Sequence, residues 1–166
     1  MVGTVKMRIG IGCDHAGFHL KRSVMDHLAG KNNVSVRDFG TDSTERCDYP
    51  DIAFPVAEGV ATGQFDRGIL ICTSGVGMTI AANRIPEVRA VNAFDVYVAE
   101  QSRQHGDTNV ICLGAVTFKH DLPLALEIVD VWLRTETLTD PRYVARIKKI
   151  NTYWHANYAK LPGGRP

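Results

Sequence analysis

The stretch GILICTSGVGMTIAANR, Gly68 to Arg84, decides the fold. GILIC is an unbroken apolar run, the pattern of a short strand covered on both faces. The second half reads as a helix continuing through Ile80 and Ala81. Between them lies a turn of Cys72, Thr73, Ser74, Gly75, Val76 and Gly77. A thiol at the end of a buried strand therefore faces a turn that exposes backbone amides.

The same strand pattern recurs on either side, in RIGIG (8–12), VSVRDF (34–39), VRAVNA (88–93) and NVICLG (109–114). Segments with helical apolar spacing separate these runs. Phe18, Leu20, Val24, Met25 and Leu28 predict a helix over 16–29, closed by Gly30. Ile52, Val56 and Val60 predict another, entered at Pro50–Asp51 and ended at Gly63. Strand–helix alternation implies one α/β domain over 1–166, with a five-stranded, mostly parallel Rossmann-like sheet in a three-layer sandwich. Two helices follow the last strand, Leu122 to Arg134 and about 141–158, with LPGGRP (161–166) as a frayed tail. The final helix serves no crossover, and a dimer interface would give it a packing partner.

A length of 166 residues is enough to bury a core without disulfides or structural metal. The net charge of +1 gives no reason to expect nucleic acid or an anionic membrane as a partner. No apolar run is long enough to span a bilayer, and the N-terminus lacks a signal-peptide pattern. Four cysteines, none in a C-x-x-C pair, point to free thiols in a reducing cytoplasm rather than to a disulfide or zinc framework.

In open α/β sheets ligands bind beyond the carboxyl ends of the strands. On that rule three clusters stand out: Cys13-Asp14-His15, the Cys72–Gly77 turn, and the His105-Gly106-Asp107 loop. The amides of the turn suit a phosphate, a carboxylate or an oxyanion formed during reaction. They also suit a strand-to-helix turn that uses glycine only for its geometry. Cys72 is either a small buried hydrophobe or a thiol whose position beside a helix N-terminus favours thiolate, competent as base or nucleophile. Ser74 is placed to orient it. His15 and His19 stand four apart, but no third ligand accompanies them, and no metal site is assigned. Arg142 and Arg146 lie one helical turn apart, as an anion clamp or as a solvated basic face with Lys148 and Lys149.

Together these segments resemble the type B ribose-5-phosphate isomerases of the ribose/galactose isomerase family. The resemblance is carried by GCDHAGFHLK (12–21), FGTDSTERCDYPD (39–51), GILICTSGVGMTIAANR (68–84), VRAVNA (88–93) and SRQHGDTNVICLG (102–114). It implies an aldose–ketose isomerase working through an enediolate, without metal or cofactor, on a small sugar phosphate. By the same resemblance Cys72 is the base, and Thr73, Ser74, Gly75, Val76 and Gly77 form the oxyanion turn. His105 opens the sugar ring, Asp14 lies close to the sugar, and His15, Arg142 and Arg146 grip phosphate. The implied assembly is a homodimer, or dimers paired into a tetramer.

Thr73 stands where many relatives have glycine, Gly106 where asparagine is common, and Val116 where arginine is common. Met78 occupies the place of a glutamate base in another branch, which leaves Cys72 as the base here. The first expectation is ribose 5-phosphate to ribulose 5-phosphate. A hexose 6-phosphate substrate, such as allose or galactose phosphate, and a non-catalytic phosphosugar-binding module are the alternatives.

Overall fold

A computed structural model describes residues 6–157. Its five strands are β1 (Met7–Cys13), β2 (Val34–Asp38), β3 (Arg67–Cys72), β4 (Ala90–Asn92) and β5 (Val110–Gly114). Its six helices are α1 (Phe18–Ala29), α2 (Tyr49–Ala61), α3 (Val76–Ala82), α4 (Val96–Gly106), α5 (Leu122–Arg134) and α6 (Pro141–Asn157). The sheet is wholly parallel in the order β2-β1-β3-β5-β4.

Alternation along the strands divides the core in two. Ile9, Ile11, Ile69, Ile71, Ile111 and Leu113 face α1, α4 and α5, where Val24, Leu28, Ala99, Ile128 and Trp132 meet them. Leu70, Cys72, Val110 and Cys112 face α2 and α3, against Val56, Ala57, Val60, Met78 and Ala82. The result is the three-layer sandwich that the alternating pattern predicts. Trp132 is fully buried, and its indole N–H donates to the Thr108 hydroxyl at 2.9 Å, so the largest core side chain is also satisfied.

Three boundaries differ from the sequence reading. His15–Gly17 forms a separate 3-10 turn before α1, because the Asp14 carboxylate caps the amides of Ala16 and Gly17 at 3.0 and 3.1 Å. Strand β4 keeps only three of its six expected residues, since the edge strand pairs on one side only, with β5. The second helix begins at Tyr49, one residue before the Pro50–Asp51 entry, with Pro50 in a first-turn position. The last residue of the expected final helix, Tyr158, and the 161–166 tail lie outside the described residues. All four cysteines are free thiols. Among the described residues no helix is long and apolar enough to cross a membrane.

Candidate active site

The carboxyl edge of the sheet brings together Asp14, His15 and the Cys72–Gly77 turn. Cys13 pairs with Ile71 across β1 and β3, and the Asp14 amide donates to the Ile71 carbonyl at 3.0 Å. Asp14 is therefore beside the end of β3, where Cys72 sits. Gly17 is packed so closely on this strand end that an added Cβ would lie 2.7 Å from the Ile71 carbonyl oxygen. On the other side, the amides of Ala115 and Val116 donate to the carbonyls of Cys72 and Thr73 at 2.8 and 3.1 Å. The thiol thus stands between two fixed neighbours.

Cys72 is 5% exposed and belongs to the core cluster facing α2 and α3, while the next two residues are open to solvent. The Gly75 backbone N–H donates to its sulfur at 3.1 Å. Gly75 adopts φ +79°, and a Cβ there would run into the Asn92 side chain, so glycine is required twice over. Asn92 in turn donates to the Ser74 carbonyl at 3.1 Å and braces the turn from β4. The sequence reading gave the orienting role to Ser74. The structure corrects this: the Ser74 hydroxyl accepts from the Val76 amide at 3.4 Å, and the sulfur's partner is Gly75. The first amides of α3, including Gly77, have no carbonyl one turn back in their own helix.

Burial pushes Cys13 and Cys112 up to about 12, so both stay protonated at neutral pH. The His15 Nδ1 accepts from the Cys47 amide at 3.4 Å, which leaves Nε2 as its donor nitrogen. A groove of about 390 Å³ opens alongside, from Ala16 and His19 to Val116 and Lys119.

His105, Gly106, Arg142 and Arg146 are elsewhere. The sequence reading put the His105 loop on the same rim as Cys72, and the fold overturns this. Helix α4 runs back from the carboxyl edge, so its last turn lies where β5 starts. There the Gly68 amide donates to the Asn109 carbonyl at 2.9 Å, at the first half of β3. From Gly68 to Cys72 the strand runs four residues, roughly 13 Å. Within one chain, His105 and the thiol occupy opposite edges of the sheet.

At that amino edge a second cluster is built around Asp107. Asp107 caps α4 at φ 44°, and its carboxylate accepts from Thr137 Oγ1 at 2.7 Å, Arg103 Nη1 at 2.8 Å and Arg89 Nη2 at 2.8 Å. Burial alone would raise this carboxyl's pKa, but the Thr137 and Arg103 bonds and the charges of Arg103 and Arg89 hold it below the ordinary range. The His105 ring stacks on Tyr143 of α6, centroids 4.2 Å apart and planes 12° apart. The guanidinium carbons of Arg142 and Arg146 lie 5.5 and 5.7 Å from the same tyrosine ring. Arg142 also pairs with Asp140 at 3.0 Å. Asp107 was noted from sequence only as part of the His105-Gly106-Asp107 loop, and Tyr143 was not picked out; its place between two clamp arginines was the available signal.

The structure therefore divides the expected residues into two groups, one at each edge. Among the described residues no cluster of three or more His, Cys, Asp or Glu is placed to hold a metal ion.

A parallel α/β sandwich with a thiol set against backbone amides at a strand end is the framework of a sugar-phosphate isomerase, and the comparisons agree. Residues 9–150 match the Ribose/Galactose Isomerase family, and the chain belongs to it. The chain is 50% identical over 126 residues to the ribose-5-phosphate isomerase B of Escherichia coli, covering 76% of this chain and 83% of that one. Ribose-5-phosphate isomerase B of Clostridium thermocellum superposes with a TM-score of 0.85 at 44% identity, over 90% of this chain and 99% of the other. The Mycoplasma genitalium ribose-5-phosphate isomerase B with bound ribulose-5-phosphate superposes with a TM-score of 0.84 at 35% identity, over 91% and 98%. The protein is an enzyme of the aldose–ketose sugar-phosphate isomerase class.

Proposed function

We propose that the enzyme interconverts ribose 5-phosphate and ribulose 5-phosphate, in a site that a second copy of the chain completes. The observation that carries the chemistry is the Gly75 N–H on the Cys72 sulfur, at the head of a turn of amides. A donor on sulfur stabilises negative charge there, which is what a base needs before it takes a proton from carbon.

In the forward direction the furanose first opens. The hydroxyl on C1 loses its proton, the ring oxygen gains one, and the bond between C1 and the ring oxygen breaks to give the aldehyde. His105 serves as the acid and base for this exchange. The Cys72 thiolate then removes the proton from C2, and the electron pair moves through the C1–C2 bond onto the C1 oxygen. Amides of the Thr73–Gly77 turn that are not already engaged, Gly77 first among them, receive that charge, while the Gly75 amide stays on the sulfur and the Val76 amide on the Ser74 hydroxyl. The thiol returns its proton to C1, and the proton on the C2 oxygen passes to the C1 oxygen, leaving the ketone. Asp14, next to the end of β3, holds sugar hydroxyls. His15 Nε2, Arg142 and Arg146 take the phosphate, and Gly106 leaves open space beside the sugar.

Two features support the second copy. His105, Arg142 and Arg146 stand at the edge away from Cys72 in their own chain. Val76 and Ile80 beside the thiol, and Val144 and Ile150 on α6, are all more than half exposed. A two-fold dimer pairing the carboxyl edge of one chain with α6 of the other would cover these apolar side chains and complete two identical sites.

The test is isomerisation of ribose 5-phosphate in deuterium oxide. The native enzyme should form ribulose 5-phosphate carrying deuterium at C1, and Cys72→Ala should lower the rate by about a thousandfold or more. A Cys72→Ala variant retaining more than about a tenth of the rate would overturn the assignment of the base. Faster turnover of allose 6-phosphate under the same conditions would move the substrate to a hexose.

A further inference from the structure

Resting on that reaction, we infer that Tyr143 is a positioning residue which sets the plane of the His105 imidazole for proton transfer to the ring oxygen. The backbone around His105 is already immobilised. Arg89 Nε donates to the carbonyls of Gly106 and Asp107 at 3.1 and 2.9 Å, and the Asp107 carboxylate is held by Arg103, Thr137 and Arg89. What remains free is rotation of the His105 side chain. A near-parallel aromatic face 4.2 Å away removes that freedom while leaving both ring nitrogens at the edge of the stack.

Tyr143 is itself held. Helix α6 is tied to the body by Thr137 to Asp107 at 2.7 Å, Leu138 N–H to the Gln104 carbonyl at 3.0 Å and Arg89 to Asn151 at 3.4 Å. His155 adds a contact to Glu87 at 3.0 Å. The helix also carries Arg142 and Arg146, whose guanidinium carbons lie 5.5 and 5.7 Å from the tyrosine ring centroid. The phosphate grip and the ring-opening imidazole are thereby registered to each other through one aromatic ring. This register fixes the span from phosphate to ring oxygen, a short one in a pentofuranose 5-phosphate.

Stacking depends on the ring and not on the phenol hydroxyl, and this separates the variants. In the full-length enzyme, Tyr143→Phe should keep kcat within about twofold, whereas Tyr143→Leu should lower it about tenfold or more. KM and competitive inhibition by inorganic phosphate should stay within about twofold in both, because the arginines remain. By NMR, the His105 ring protons, assigned by their loss in His105→Gln, should be shifted upfield in the native and Phe proteins and released in the Leu protein. Unchanged kcat in Tyr143→Leu, equal loss in both variants, or a rise in KM without loss of kcat would each overturn the inference. Upfield His105 signals in a native enzyme without isomerase activity would instead defeat the reaction on which the inference rests.

Discussion

The backbone N–H of Gly75 points at the sulfur of Cys72 from 3.1 Å, and no other residue type fits where Gly75 sits. At φ +79° a side chain is strained, and its Cβ would collide with Asn92. Gly75→Ala should therefore cost about 1–3 kcal/mol of stability in urea unfolding. It should also lower kcat at least about tenfold, by swinging the amide off the sulfur. A variant as active as the native enzyme would show that the thiol works without this donor.

The cysteines should separate by chemistry. Cys13 and Cys112, pushed up to about 12 by burial, should resist iodoacetamide in the folded protein near neutral pH. Cys72 should be alkylated with loss of activity, and ribose 5-phosphate should protect it. Peptide mass spectrometry distinguishes the sites. Labelling of Cys112 ahead of Cys72 would contradict the contrast between them.

The Asp107 cluster predicts the acid limb of stability. Its folded carboxyl lies below the ordinary range despite burial, because Thr137, Arg103 and Arg89 favour the charged form. The group therefore contributes fully above its unfolded pKa of about 3.9, and the contribution is lost as pH falls through the folded value. Asp130, whose burial is outweighed by His27 and Lys31, acts in the same direction. Unfolding free energy should hold steady from neutrality to about pH 5 and then decline below about pH 4. Asp107→Asn should lower it by about 1–3 kcal/mol at neutral pH, a range reduced for a side chain 35% exposed, and flatten the acid limb. An Asn variant with native stability and an unchanged acid limb would rule out the role given to Asp107.

The central strands were legible because a parallel strand buried on both faces leaves an uninterrupted apolar run, as in GILIC and NVICLG. Strand β4 was less so, since an edge position needs less apolar sequence than its neighbours. The thiol and its turn were legible for the same local reason: strand, glycine turn and helix are contiguous. His105 was misplaced because proximity was inferred from chemistry. Its loop joins a helix to a strand, which puts it at the amino edge of a parallel sheet, away from strand ends that carry ligands. Its stack on Tyr143 spans nearly forty residues, a separation at which no periodicity reports a contact. Gly75 displaced Ser74 as the sulfur's partner for a geometric reason: the left-handed turn directs the amide inward and leaves the hydroxyl near its own backbone.

The separation of Cys72 and His105 within one chain makes subunit mixing the most direct measurement. Cys72→Ala and His105→Ala homodimers should each be inactive. After the two are unfolded together and refolded as a mixture, half the dimers combine one chain of each kind, and each such dimer has one intact site. Activity should then return to about a quarter of the native value. Mixed dimers that form, as judged by mass, yet remain as inactive as the parents would contradict a site shared between two chains.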